Sequence, residues 1–143
     1  MRCIARSALV EHSADAFYAL VSDVASYPEF LPWCAGARVH DKDRATLVLD
    51  VKGMRHSLTT ENRHEPGRSI TMRLVEGPFR HFLAKWRFTP LGESASKAEF
   101  SLEYEFSNRL LAGALGPVLE RMADSTVDAF VRRAAARRDE TAR

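Results

Sequence analysis

The stretch Ala98-Glu99-Phe100-Ser101-Leu102-Glu103-Tyr104-Glu105-Phe106 alternates apolar and polar side chains without a break. Successive residues of an extended chain point to opposite faces, so Ala98, Phe100, Leu102, Tyr104 and Phe106 share one side and the glutamates share the other. Such a strand is buried on one face and wet on the other. Upstream, Phe82, Ala84, Trp86 and Phe88 alternate with His81, Lys85 and Arg87, and Ile70, Met72 and Leu74 mark the inner face one strand earlier. Turn signals at Asp41-Lys42-Asp43, Lys52-Gly53, Glu65-Pro66-Gly67, Glu76-Gly77-Pro78 and Leu91-Gly92-Glu93 divide residues 36–107 into hairpins in series. The pattern predicts an antiparallel meander with a single apolar side.

Such a sheet needs a cover, and the chain supplies one downstream. Leu111, Leu115, Val118, Leu119, Met122, Thr126, Val127, Ala129 and Phe130 recur at helical spacing. Asn108 is placed to cap this helix, and Pro117, which cannot donate to the carbonyl of Gly113, should kink it or restart it. From Pro117 to Arg138 the helix would run about 30 Å, enough to cross the sheet. At the other end, residues 2–11 read as a strand, and Ser13 caps a short helix whose apolar face is Ala16, Phe17, Leu20, Val21 and Val24. The result is an α+β fold, a curved antiparallel sheet wrapped around a long C-terminal helix.

Between the short helix and the meander lies Tyr27-Pro28-Glu29-Phe30-Leu31-Pro32-Trp33-Cys34, where two prolines argue against helix and central strand alike. Bulky apolar side chains in a loop are costly in water, so this segment is expected to fold over the core or to cover a cavity as a lid. The cavity would have Tyr27, Phe30, Leu31 and Trp33 at its lid, Phe82, Trp86, Phe100, Leu102 and Tyr104 along its wall, and Leu115, Leu119 and Met122 on the helix side. His56, Thr60 and Asn62 share the parity of Leu58; they either point inward and orient a ligand, or stand at a sheet end where parity fails.

With 143 residues and no Gly/Ser/Pro-rich divider, the chain is expected to form a single domain over residues 1–143. A formal charge of +2 does not by itself imply nucleic-acid binding, and DNA is not an expected partner. The lone Cys3 and Cys34 indicate neither a disulfide framework nor a zinc site. No apolar run approaches the roughly 20 residues that span a bilayer, and the start lacks the apolar core of a signal peptide. A cytoplasmic location is expected, with peripheral contact at the inner membrane compatible with it.

Catalytic signatures are missing. The five histidines have no metal-binding spacing, no Gly-rich phosphate loop or nucleophile elbow occurs, and no catalytic residue, metal or required cofactor is expected. Glu103 and Glu105 are read as salt-bridge partners of Lys85 and Arg87 on the wet face, and Cys34 as a small buried hydrophobe. Arg132, Arg133, Arg137 and Arg138 make the last helical turns basic: a solvated end that complements the helix dipole, or, together with Arg73, Lys85 and Arg87 on the sheet, a contact for RNA phosphates or an anionic membrane.

The loop from Tyr27 to Cys34, then Gly77-Pro78-Phe79, Trp86-Arg87-Phe88-Thr89-Pro90 and Phe106-Ser107-Asn108 in that order, resemble the START-like polyketide-cyclase/coenzyme Q-binding protein family over nearly the whole chain. Among its bacterial members the likeness is to the ribosome association toxin (RatA) branch. The resemblance implies a helix-grip fold and non-enzymatic binding of a hydrophobic small molecule, ubiquinone or another isoprenoid lipid, in support of respiration. Its alternative is a toxin that binds the large ribosomal subunit and blocks subunit association. An aromatase/cyclase role ranks third, because no acid/base set accompanies it.

Overall fold

The computed structural model describes residues 1–41, 43–51 and 53–141, with side chains through residue 137. Strand β1 (Arg2–Val10) leads into helix α1 (Ala14–Ser22), a 3-10 helix (Val24–Glu29), the strands β2 (Cys34–Asp41), β3 (Arg44–Val51), β4 (Met54–Glu65), β5 (Ser69–Glu76), β6 (Phe79–Gly92) and β7 (Ala95–Phe106), and helix α2 (Arg109–Thr141). The strands form one antiparallel sheet in the order β1-β7-β6-β5-β4-β3-β2. Each hairpin falls where a turn signal stands, and β1 closes the meander by pairing with the last strand. In β7 the even residues from Ala98 to Phe106 are buried, as the alternation requires.

Helix α2 lays Leu115, Leu119, Met122, Ala123, Thr126, Val127, Phe130 and Ala134 into the concave face. Its start is fixed by Asn108, whose side-chain oxygen accepts from the Leu111 N–H at 2.9 Å. Instead of restarting at Pro117 the helix runs through it, so its 33 residues span about 50 Å. The early cap sets that length: the turns before Pro117 are helical although Leu111 and Leu115 are their only apolar anchors.

Other local expectations needed correction. Ala16 is exposed, and Ala14, one turn from Phe17, occupies the buried face of α1 instead. The proline loop is partly ordered as the 3-10 helix, which holds Pro28 inside it because proline's fixed φ suits that geometry. Phe30 and Leu31 both donate backbone N–H bonds to the Tyr27 carbonyl, and Asp50 donates to that of Trp33 at 2.9 Å, tying the segment to β3. Glu103 and Glu105 do not meet Lys85 and Arg87. Register places Lys85 opposite Ser101; His81, in regular alternation, lies 3.5 Å from Glu103, and a shift between Phe79 and His81 brings in Arg80, 3.9 Å from Glu105.

The β4–β5 turn carries a backbone requirement. Gly67 sits at φ +75°, and a side chain there would also run into the Asp15 carboxylate of α1. Left-handed geometry costs an L-residue about 1–2 kcal/mol. Gly67→Ala is therefore expected to lower unfolding free energy by about 1 kcal/mol or more in a urea titration; an unchanged midpoint would contradict the strain.

Candidate functional site: an apolar cavity under the C-terminal helix

Between sheet and helix lies a cavity of about 80 Å³. Leu47 and Leu49 of β3, Leu58 of β4, Met72 of β5, Phe82, Ala84 and Trp86 of β6, and Phe100 and Leu102 of β7 form its sheet side. Leu119, Met122, Ala123, Thr126 and Phe130 of α2 face them, and Tyr27, Leu31 and Trp33 close one end. Of these lining residues only Tyr27, Trp33, Trp86 and Thr126 carry a side-chain nitrogen or oxygen. Thr126 donates to the Met122 carbonyl and Tyr27 to that of Val21, so both hydroxyls are satisfied within the protein. Burial pushes the Tyr27 phenol far above its ordinary range, with Cys34 and Asp23 adding to the effect. The Trp33 Nε1–H is buried without an acceptor.

Nine of the twelve residues expected at the cavity line it: Tyr27, Leu31, Trp33, Phe82, Trp86, Phe100, Leu102, Leu119 and Met122. Phe30 does not. It packs edge-on against Phe130 at 5.1 Å, with the Arg133 guanidinium 5.2 Å from its ring centre. Tyr104 is buried beside the first half of α2, at a surface hollow with Gly113, Gly116 and Pro117. Leu115 and His56 border a separate void of about 10 Å³. Thr60 and Asn62 point inward, but Thr60 donates to Asn62 Oδ1 at 2.7 Å and neither lines the cavity.

The lining residues missed in the sequence were not silent. Ala45, Leu47, Leu49 and Val51 alternate as clearly as any strand, and Leu58, Met72, Ala84 and Phe130 already fell on inward-facing positions. Ala123 and Thr126 are helix neighbours of Met122. Leu31 and Tyr27, expected in a lid, are 2% and 3% exposed and belong to the core. Trp33 and Phe30, half-buried, form the edge of that end.

The basic end of α2 is engaged rather than free. Arg133 donates to Glu29 at 2.8 Å and Arg137 lies 4.0 Å from Asp23, fastening the helix to the 3-10 segment, while Arg132 is exposed. The Arg138 side chain lies outside the described residues. Cys34 is buried, its thiol pushed up by desolvation, and it donates to the Gly36 carbonyl. Cys3 is exposed. Since the thiolate is the reactive form, mass spectrometry after brief alkylation of the native protein should find one adduct, on Cys3, and two after denaturation.

Among the described residues no helix is long and apolar enough to cross a membrane. Residues 10–131 match the family described as polyketide cyclase / dehydrase and lipid transport. The chain is 44% identical over 138 residues to the ribosome association toxin RatA of Vibrio cholerae, covering 94% of this chain and 96% of that one. A more distant relative, the mitochondrial coenzyme Q-binding protein of Drosophila melanogaster, is 22% identical over 138 residues, 91% of this chain and 57% of that protein. Among solved structures, an aromatase/cyclase from a Streptomyces species superposes with a TM-score of 0.85 at 19% identity, covering 95% of this chain and 94% of that one. A seven-stranded antiparallel sheet closed by a long C-terminal helix, with this match across most of its length, makes the chain a member of the START-like polyketide cyclase / dehydrase and lipid transport family.

Proposed function

We propose that this protein is a ribosome association toxin, binding the large ribosomal subunit through its surface and acting without catalysis. The near-full-length similarity to a protein of that name carries the reading. The cavity supports it by its size. An engineered apolar cavity of roughly 150 Å³ takes up one benzene ring, and about 80 Å³ is near half of that. A quinone head with an isoprenoid tail would require α2 to separate from the sheet. The cavity lining also offers no Asp, Glu, His, Lys or Arg to serve as acid or base in ring closure. Cosedimentation tests the proposal: the purified protein should travel with isolated large subunits and shift a subunit mixture away from assembled ribosomes. A protein that stays at the top of the gradient at low salt overturns it.

A second reading, storage or transfer of a hydrophobic ligand, is favoured by one observation. The Trp33 Nε1–H, buried and without an acceptor, stands at an otherwise apolar cavity and would suit a carbonyl-bearing molecule such as a quinone. Solvent extraction of protein purified from its native host, followed by mass spectrometry, decides it. A stoichiometric quinone or isoprenoid would establish the ligand, and an extract without one would reject a resident lipid.

A further inference from the structure

The convex face of the sheet carries its own charge pattern. Arg63 of β4, Arg73 of β5, and Lys85 and Arg87 of β6 are all exposed. Register sets Arg63 opposite Thr71 and Thr71 opposite Lys85, so the array crosses three adjacent strands. Neighbouring strands are about 4.8 Å apart and alternate residues about 7 Å apart. The cations therefore form a row with spacings suited to successive phosphates, too spread to converge on one small anion.

These four side chains make no ion pair or hydrogen bond with the described residues. Among the carboxylates around them, Glu61 lies 3.7 Å from Arg44 and Glu105 3.9 Å from Arg80, Glu65 accepts from Ser69, and Glu103 faces His81 at 3.5 Å, an ion pair only when that imidazole is protonated. Glu99, opposite Arg87, makes no ion pair or hydrogen bond with the described residues. Lys85 and Arg87 also wall a hollow of about 430 Å³ that reaches β1 across Ser101 and Ser7, whose small side chains leave it open. Hydroxyl donors between cations suit a sugar–phosphate backbone.

We propose that this convex face, centred on Arg63, Arg73, Lys85 and Arg87, binds the phosphate backbone of structured RNA. The inference rests on the proposed ribosome association and names the surface that would carry it, moving the contact from the tethered end of α2 to the sheet. The binding is sequence-independent and strongly salt-dependent. Neutralising four phosphates gives a log–log salt slope of about −3 to −4, a loss of roughly 100-fold between about 50 and 200 mM salt.

Anisotropy titration of a fluorescent A-form RNA duplex with the full chain tests this across salt concentrations. The paired variant Lys85→Ala/Arg87→Ala should weaken binding at least about tenfold at low salt and flatten the slope by about 2. The control Arg121→Ala/Arg132→Ala, exposed on α2, should stay within about twofold of the parent. Unchanged affinity in the sheet variant, or equal loss in the control, overturns the proposal, as does binding to phosphatidylserine-rich vesicles with displacement of the duplex. Cosedimentation of the same proteins separates the two ideas. Large-subunit binding that survives the sheet variant rejects this surface and leaves the ribosome reading standing. Sheet-dependent duplex binding without cosedimentation keeps the surface and rejects the ribosome reading.

Discussion

Phe130→Ala is expected to lower the unfolding free energy by about 3–5 kcal/mol, the range for a large aromatic removed from a packed core. Phe130 is 1% exposed, and its ring meets those of Tyr27 at 5.3 Å, Phe30 at 5.1 Å and Trp86 at 5.3 Å. It is thus the point where α2, the 3-10 segment and the sheet converge. Edge-on ring pairs each add about 0.5–1.5 kcal/mol beyond area burial, and three are lost together. The void left behind would border the existing cavity, so collapse gives little relief. Chemical denaturation checks the magnitude. A loss below about 1 kcal/mol would mean that the three layers are held elsewhere.

The second large effect is Leu31→Asp. Were the loop a mobile lid, this change would be mild. Leu31 is 2% exposed, lines the cavity and has no cation among its cavity neighbours, so the new carboxylate is desolvated and unpaired. An uncompensated buried charge costs about 3–5 kcal/mol. The pH dependence has a definite sign. Desolvation raises the folded-state pKa of the introduced acid above its unfolded value near 3.9, so the native state holds the proton more tightly. The penalty is then smallest below about pH 4 and grows as pH rises through the raised pKa. Leu31→Asn, which cannot ionise, should show a similar loss without that added pH dependence. Trp33→Ala, at a half-buried position, should be milder than either.

The difference between Leu31 and Trp33 shows where the sequence was legible. Period-two alternation from Ala98 to Phe106 reports which face is buried, and the sheet follows because side-chain direction in a strand is set by parity alone. The helix followed from spacing in the same way. In the proline segment neither period applies: Pro28 reads as a breaker although it fits a 3-10 turn, and nothing local distinguishes a buried Leu31 from a half-exposed Phe30. The partner of Glu105 was hidden for another reason. A register shift at Phe79/His81 moves Arg80 into reach of Glu105, and bulges are not written in alternation. Cavity volume depends on how closely the whole of α2 approaches the sheet, a quantity to which no single stretch of sequence corresponds.

Pro117 gives α2 two mechanical parts. With no N–H at that position, the Gly113 carbonyl loses its helical donor, and neither Gly113 nor Gly116 has anything within 4 Å of where a side chain would begin. Residues 109–116 are thus a stretch with weak side-chain anchorage, whereas the turns from Leu119 to Ala134 are bolted into the core. In native-state hydrogen exchange the amides before the proline should lose protection through local fraying, while those from Met122 to Phe130 exchange only with global unfolding. Fraying would lift Leu115 off the small void it shares with Leu119 and Met122, both of which also line the main cavity. Loosening of the first two turns of α2 would therefore enlarge that small void while the rest of the helix stays packed on the sheet.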